Sequence, residues 1–332
     1  MEMNRRGFLG LGKGLVAATA TAGAMTTIAA EPQQPRRKRT FVGACPPSSR
    51  EYGGRRPGPT RVMVIGAHPD DADIVCGCTA VKLIERGFSV RFVSITDGRM
   101  GHHKLTPDET ARTRRAETLE AARRFGLDGY DIYGYPDCGL YPTDEARRLV
   151  ARKIREYEPD FVFTHRTCDY HADHRAVAQI MMDITYFLGV PYWCPEAPVP
   201  DVLPAVFFMR DGFTVPRELR PDVVVDATDV QDLAADALCC HASQFFEWLP
   251  PETPGAMEEN PGADGPVEAR RAFVKKFWFT RKEFDARRFG LPFRYPEVFE
   301  LSEYGRQLSS DEAAAMFPAG AVVRMRDASG MC

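Results

Sequence analysis

Arg61-Val62-Met63-Val64-Ile65-Gly66-Ala67-His68-Pro69-Asp70-Asp71 passes from an unbroken apolar run straight into a histidine and two carboxylates. A short run without polar alternation reads as a strand buried on both faces, the kind found in parallel sheets. Downstream, Ile74, Ala80, Val81 and Ile84 mark a helix that ends near Gly87, and residues 88–96 read as a second strand closed by Asp97-Gly98. A charged helix over 108–125, a strand over 130–135, a helix over 143–157 and a strand over 160–164 continue the alternation. Strands alternating with helices predict an α/β fold, a doubly wound and mostly parallel sheet with right-handed crossovers. Beyond it, strands at 205–209 and 223–226, a helix over 230–246 and a Pro/Gly/Glu-rich loop over 250–266 read as a C-terminal elaboration. We expect one domain over 61–330.

Ligands of open α/β sheets bind beyond the carboxyl ends of the strands. The first strand delivers His68, Asp70 and Asp71 there. The fourth ends in Thr164-His165 and runs into Asp169-Tyr170-His171-Ala172-Asp173-His174. Two His/Asp clusters distant in sequence therefore share one edge. An open catalytic metal site takes three N or O ligands and keeps a position for water, whose pKa falls to about 7. His68 and Asp71 supply a close pair across a stiffening proline, and His174 the distant third ligand. The ion is zinc, or another divalent metal such as Fe2+. Asp70 is then free to act as base, and His171 to stabilise an oxyanion or protonate a leaving amine. Asp173 would orient a histidine. The bland alternative is that Asp70 or Asp71 merely caps a helix N-terminus and the histidines lie on its surface.

The chain has 332 residues, a formal net charge of −3 and nine cysteines. That charge argues against a nucleic-acid partner. No apolar run after residue 30 is long enough to span a bilayer, so no stable membrane span is expected in the mature chain. Residues 1–30 have the order of a signal peptide: Arg5-Arg6 before Phe8-Leu9, an Ala/Thr-rich apolar stretch, then Ala29-Ala30. The paired arginines resemble a twin-arginine signal, which implies the twin-arginine export machinery as a partner and a periplasmic or extracellular location. Residues 31–60, rich in Pro, Arg and Gly, read as a linker. The odd cysteine count leaves at least one thiol unpaired in a monomer, and Cys76 and Cys78 read as small buried residues.

Taken together, the motifs resemble those of the PIG-L/LmbE family of metal-dependent N-acetylglucosaminyl deacetylases over about residues 61–248. They are Ala67-His68-Pro69-Asp70-Asp71, Thr96-Asp97-Gly98, Arg114-Arg115-Ala116-Glu117, Gly134-Tyr135-Pro136-Asp137, His171-Ala172-Asp173-His174 and His241-Ala242-Ser243-Gln244. The resemblance implies a Rossmann-like fold with zinc on His68, Asp71 and His174. It also implies Asp70 as base, His171 polarising the intermediate, and Arg114 or Arg115 with Asp137 near the substrate. His241 is left between a place near the site and one beneath it. Asp73, Cys78 and the stretch from Arg99 to His103 depart from the family pattern, and His102 and His103 are expected in a solvated loop.

Three functions compete at this stage. The first is removal of acetyl from an N-acetylglucosamine-type sugar or glycoconjugate. The second is hydrolysis of an amide or ester in a non-sugar substrate. The third is sugar or nucleotide binding without chemistry. The first turn lacks Gly-x-Gly-x-x-Gly, and two carboxylates would repel a pyrophosphate there, which disfavours the nucleotide version.

Overall fold

A computed structural model describes residues 59–325. The signal peptide at 1–30 and all but the last two residues of the linker lie outside the described residues, so both expectations stand untested. Among the described residues, no helix is long and apolar enough to cross a membrane.

β1 (Arg61–Gly66) leads into α1 (Asp71–Glu85), then β2 (Ser89–Thr96), α2 (Pro107–Phe125), β3 (Gly129–Tyr135), α3 (Asp144–Tyr157), β4 (Phe161–Thr164) and α4 (Ala172–Phe187). β5 (Ala205–Met209), β6 (Val223–Asp226), α5 (Gln231–Leu238), β7 (Pro296–Gly305) and β8 (Val322–Val323) complete the frame. One eight-stranded sheet has the order β3-β2-β1-β4-β5-β7-β6-β8. The first five strands in that order are parallel, and β7 joins both β5 and β6 in antiparallel pairing. The sheet is thus the mostly parallel α/β sheet expected, with an antiparallel C-terminal extension.

The apolar run of β1 explains its central place. Val62 and Val64 face one layer, with Ala72, Cys76, Ala80 and Leu83 of α1. Met63 and Ile65 face the other, with Val150 and Ile154 of α3 and Val177, Ile180 and Met181 of α4. A strand sandwiched in this way has no polar face to show. Ile65 pairs with Thr164 and Gly66 with Ser94, so β1 and β4 end within a residue of each other while β2 runs two residues further. Register alone brings the loop after β1 against the loop after β4.

Three features differ from the sequence expectation. The helix expected over 230–246 stops at Leu238, and a π-helical turn, Ser243–Trp248, replaces its second half. The loop expected over 250–266 contains short helices at Leu249–Glu252 and Ala256–Glu259. β7 was not anticipated, because Glu297 and Glu300 interrupt its buried apolar pattern. Both are buried and paired: Glu297 with Lys282, Glu300 with Arg217.

Candidate metal centre and active site

Gly66 lets the chain fold back after β1, since a Cβ there would stand 2.8 Å from the Cβ of Asp71. Asp71 Oδ2 accepts hydrogen bonds from Ala67 N at 2.9 Å and His68 N at 2.8 Å. These bonds point backward into the loop, and Asp70 makes no side-chain capping bond to α1. The capping alternative therefore fails for both carboxylates.

With Oδ2 held, Asp71 Oδ1 faces His174 Nε2 at 3.2 Å, and His174 Nε2 lies 3.3 Å from His68 Nδ1. His68 Nδ1 is 3.4 Å from Asp71 Oδ2. Ligand atoms bound tetrahedrally at about 2.0–2.1 Å stand about 3.3 Å apart, the spacing seen here. Donor atoms this close together need positive charge between them, whether protons on the rings or a metal ion. Burial opposes charge on the imidazoles, yet Asp71 prevails and pushes His68 up to about 10 and His174 to about 9. Burial alone would raise Asp71, but His174, His165 and His68 hold it well below the usual carboxylate range. The donor set fits a divalent ion.

Each donor is also aimed from behind. His68 Nε2 lies 3.2 Å from Asp173 Oδ2, and His174 Nδ1 lies 3.0 Å from Asp169 Oδ1. Ligand histidines are commonly oriented by such carboxylates. The sequence reading placed Asp173 in this capacity but gave Asp169 no part, and it left His165 without a role. His165 is buried, and its ring stacks on His174 at 4.0 Å and 13°. Its Nε2 accepts from Ala67 N at 3.1 Å. Burial, then the His174 charge, lowers the pKa of His165, against the pull of Asp71. His165 thus forms a wall that fixes the His174 plane, a role evident only once the strands are in register.

Around this centre lie the remaining expected residues. Asp70 is buried, and burial with the adjacent Asp71 charge raises its carboxyl. His171 is the N-cap of α4, and its Nδ1 accepts from Asp173 N at 3.1 Å. When neutral, it must therefore carry its proton on Nε2. Burial, then the charges on His68 and His174, lowers its pKa. Arg114 is buried and donates to the Gly101 carbonyl at 2.6 Å, with Asp70 and Asp137 among the charges acting on it. Asp137 accepts from Met100 N at 2.8 Å. Arg115 lies exposed, so of the two arginines considered only Arg114 turns inward.

His241 lies beneath the site, its Nε2 3.0 Å from Asp73 Oδ1, with the Tyr130 hydroxyl donating to the other Asp73 oxygen at 2.9 Å. His102 corrects the solvated-loop expectation. Its ring is 2% exposed, bonds Glu247 at 2.9 Å and accepts from the Lys104 and Leu105 amides. His103 is exposed but packs on Trp248 at 4.4 Å. None of the seven described cysteines is in a disulfide.

The loops that carry His68, Asp71 and His174 fall within one stretch that matches a known family. Residues 63–185 match PIG-L, described as GlcNAc-PI de-N-acetylase. The chain is similar to diacetylchitobiose deacetylase of Thermococcus kodakarensis, at 29% identity over 192 residues, covering 56% of this chain and 71% of that protein. It is also similar to 4-oxalmesaconate hydratase of Pseudomonas putida, at 24% identity, covering 56% of this chain and 74% of that protein. Among solved structures, the N,N'-diacetylchitobiose deacetylase of Pyrococcus horikoshii superposes with a TM-score of 0.60 at 26% identity, covering 74% of this chain and 84% of that one.

Proposed function

We propose that this chain is a PIG-L-type, metal-dependent N-deacetylase that removes acetyl from an N-acetylglucosamine-type sugar or glycoconjugate. The observation that carries the reading is the mutual spacing of His68 Nδ1, His174 Nε2 and Asp71, at 3.2–3.4 Å, with Asp70 alongside. The deacetylases among the similar proteins support the reaction class.

His68, Asp71 and His174 would hold zinc, with Fe2+ as the alternative ion. When bound, the ion supplies Lewis acidity toward water and the amide carbonyl. Asp70 takes a proton from the attacking water as the water oxygen bonds to the carbonyl carbon. His171 donates from Nε2 to the carbonyl oxygen as negative charge develops there. The C–N bond then breaks, and the proton held by Asp70 passes to the departing nitrogen. Acetic acid and a free amine result, and the acid's proton passes to the amine to give acetate and an ammonium group, so atoms and charge balance. Arg114 and Asp137 would bind sugar hydroxyls. Export by the twin-arginine route to the periplasm or exterior is proposed from Arg5-Arg6 and the apolar stretch after them.

The test is acetate release from a panel of N-acetyl sugars and glycolipids by zinc-loaded protein, with Asp70→Asn and chelated samples alongside. Release that both treatments abolish is expected. No acetate from any member would overturn the sugar-deacetylase reading. Addition of water to an unsaturated carboxylate instead would move the chain to the chemistry named for the Pseudomonas relative.

A further inference from the structure

His241-Ala242-Ser243-Gln244 lies well past the PIG-L-like stretch at 63–185, yet it reaches the centre of the site. Gln244 Nε2 donates to Asp70 Oδ2 at 2.7 Å. Facing the amide the other way would set its carbonyl oxygen against a carboxylate, so the chemistry fixes which end points at Asp70.

The backbone around Gln244 is unusual in a way that serves this contact. Ser243–Trp248 forms a π-helical turn, a geometry that recurs at functional sites because its extra residue re-aims side chains. Its start is clamped twice. Ser243 donates to Glu117 of α2 from its backbone N at 2.8 Å and from Oγ at 2.6 Å. His241 bonds Asp73 of α1. Phe245 and Phe246 then bury behind the turn. Gln244 is thus delivered to Asp70 from a braced backbone.

The amide is not a simple gain in stability. Gln244 Oε1 is buried with no hydrogen-bond partner. Methionine would remove both the unpaired acceptor and the contact with Asp70, so the two effects oppose one another in stability while only the second bears on the carboxylate.

We propose that Gln244 is a positioning residue: it pins Asp70 through Oδ2, so that Oδ1 is the oxygen offered to the attacking water. This rests on reading Asp70 as the base. The C-terminal elaboration therefore completes a catalytic group that the first strand supplies.

The test compares zinc-loaded wild type, Gln244→Met, Asp70→Asn and the double variant. Each is assayed for kcat, KM, bound zinc and thermal midpoint, and Gln244→Met is also crystallised. Gln244→Met should lower kcat roughly 10- to 100-fold, the scale of a misplaced catalytic group, with KM, zinc content and thermal midpoint unchanged. Asp70 should change rotamer in its crystal structure. In the double variant Gln244→Met should add nothing to Asp70→Asn, because the amide acts only through that carboxylate. An unchanged kcat, full additivity, or loss of zinc in Gln244→Met would each overturn the proposal. If wild type turns over no N-acetyl substrate, the deacetylase reading fails by itself. The Asp70 rotamer still decides for Gln244: a shifted carboxylate supports pinning, and an unmoved one overturns it.

Discussion

His68 Nε2 stands 3.2 Å from Asp173 Oδ2, while the opposite ring nitrogen, Nδ1, faces His174 at 3.3 Å. One carboxylate thereby fixes which nitrogen of His68 offers its lone pair to an ion. Asp173 also accepts from Cys138 N at 2.6 Å and Leu140 N at 3.2 Å, so it ties the loop after β3 to the same ring. Asp173→Asn keeps the shape but weakens the His68 contact. We expect metal affinity to fall about 10- to 100-fold, measured by competition with a chromophoric chelator. Unchanged affinity would show that the ring is held by packing alone.

Protons and metal compete for the same imidazole nitrogens. His68 is pushed up to about 10 and His174 to about 9 from an ordinary 6.5, against burial and mainly by Asp71. Raised folded-state values mean that metal-free protein gains stability from these protons fully below about pH 6.5, and loses it as pH climbs through about 9 to 10. An ion requires the lone pairs, so its apparent affinity should instead rise across that window. Calorimetric titration near pH 7 in buffers of differing ionisation enthalpy should register about two protons released per zinc, one from each histidine. Zero release would contradict the charge state argued here.

The parallel half of the fold was legible because its strands are buried on both faces and therefore unbroken in hydrophobicity. β5 and β6 fall at the residues expected, and β1 to β4 within a residue or so at either end. His68, Asp70, Asp71, His171, Asp173 and His174 were visible because they cluster where strands end. His165 and Asp169 lie beside these residues in the sequence without showing their part, since their work depends on ring stacking and on the β1–β4 register. β7 was hidden by Glu297 and Glu300, whose partners, Lys282 and Arg217, are remote in sequence. The break after Leu238 escaped detection for a related reason. What ends that helix is the tertiary clamp on His241 and Ser243, not a proline or glycine.

That hidden strand carries a stability prediction. Lys282 Nζ lies 2.5 Å from Glu297 Oε1, both buried, and Glu297 also accepts from Cys78 N at 3.2 Å and Thr79 N at 2.7 Å in α1. Lys282→Met leaves a buried carboxylate without its cation and should cost about 3–5 kcal/mol in chemical denaturation. Replacing both partners should recover only part of that loss, because two α1 amides would still lack their acceptor. A Lys282→Met protein as stable as wild type would mean that water reaches this pair.

Two glycines that both have positive φ separate strain from function. Gly98 and Gly87 both adopt left-handed conformations, with φ of +69 and +85. Alanine at either should cost about 1–2 kcal/mol from the backbone alone. Their surroundings differ. A Cβ at Gly87 meets nothing within 4 Å, whereas one at Gly98 would stand 2.5 Å from Arg114 Nη1 and 2.9 Å from its Cδ. Gly98→Ala must therefore shift the guanidinium from its place among Asp70, Asp137 and Gly101. We expect Gly87→Ala to lose stability while keeping wild-type kcat/KM at a temperature where it is folded. Gly98→Ala should lose similar stability and about tenfold or more in kcat/KM, because a displaced binding group is costly out of proportion to its movement. Equal kcat/KM in the two variants would remove Arg114 from the substrate site.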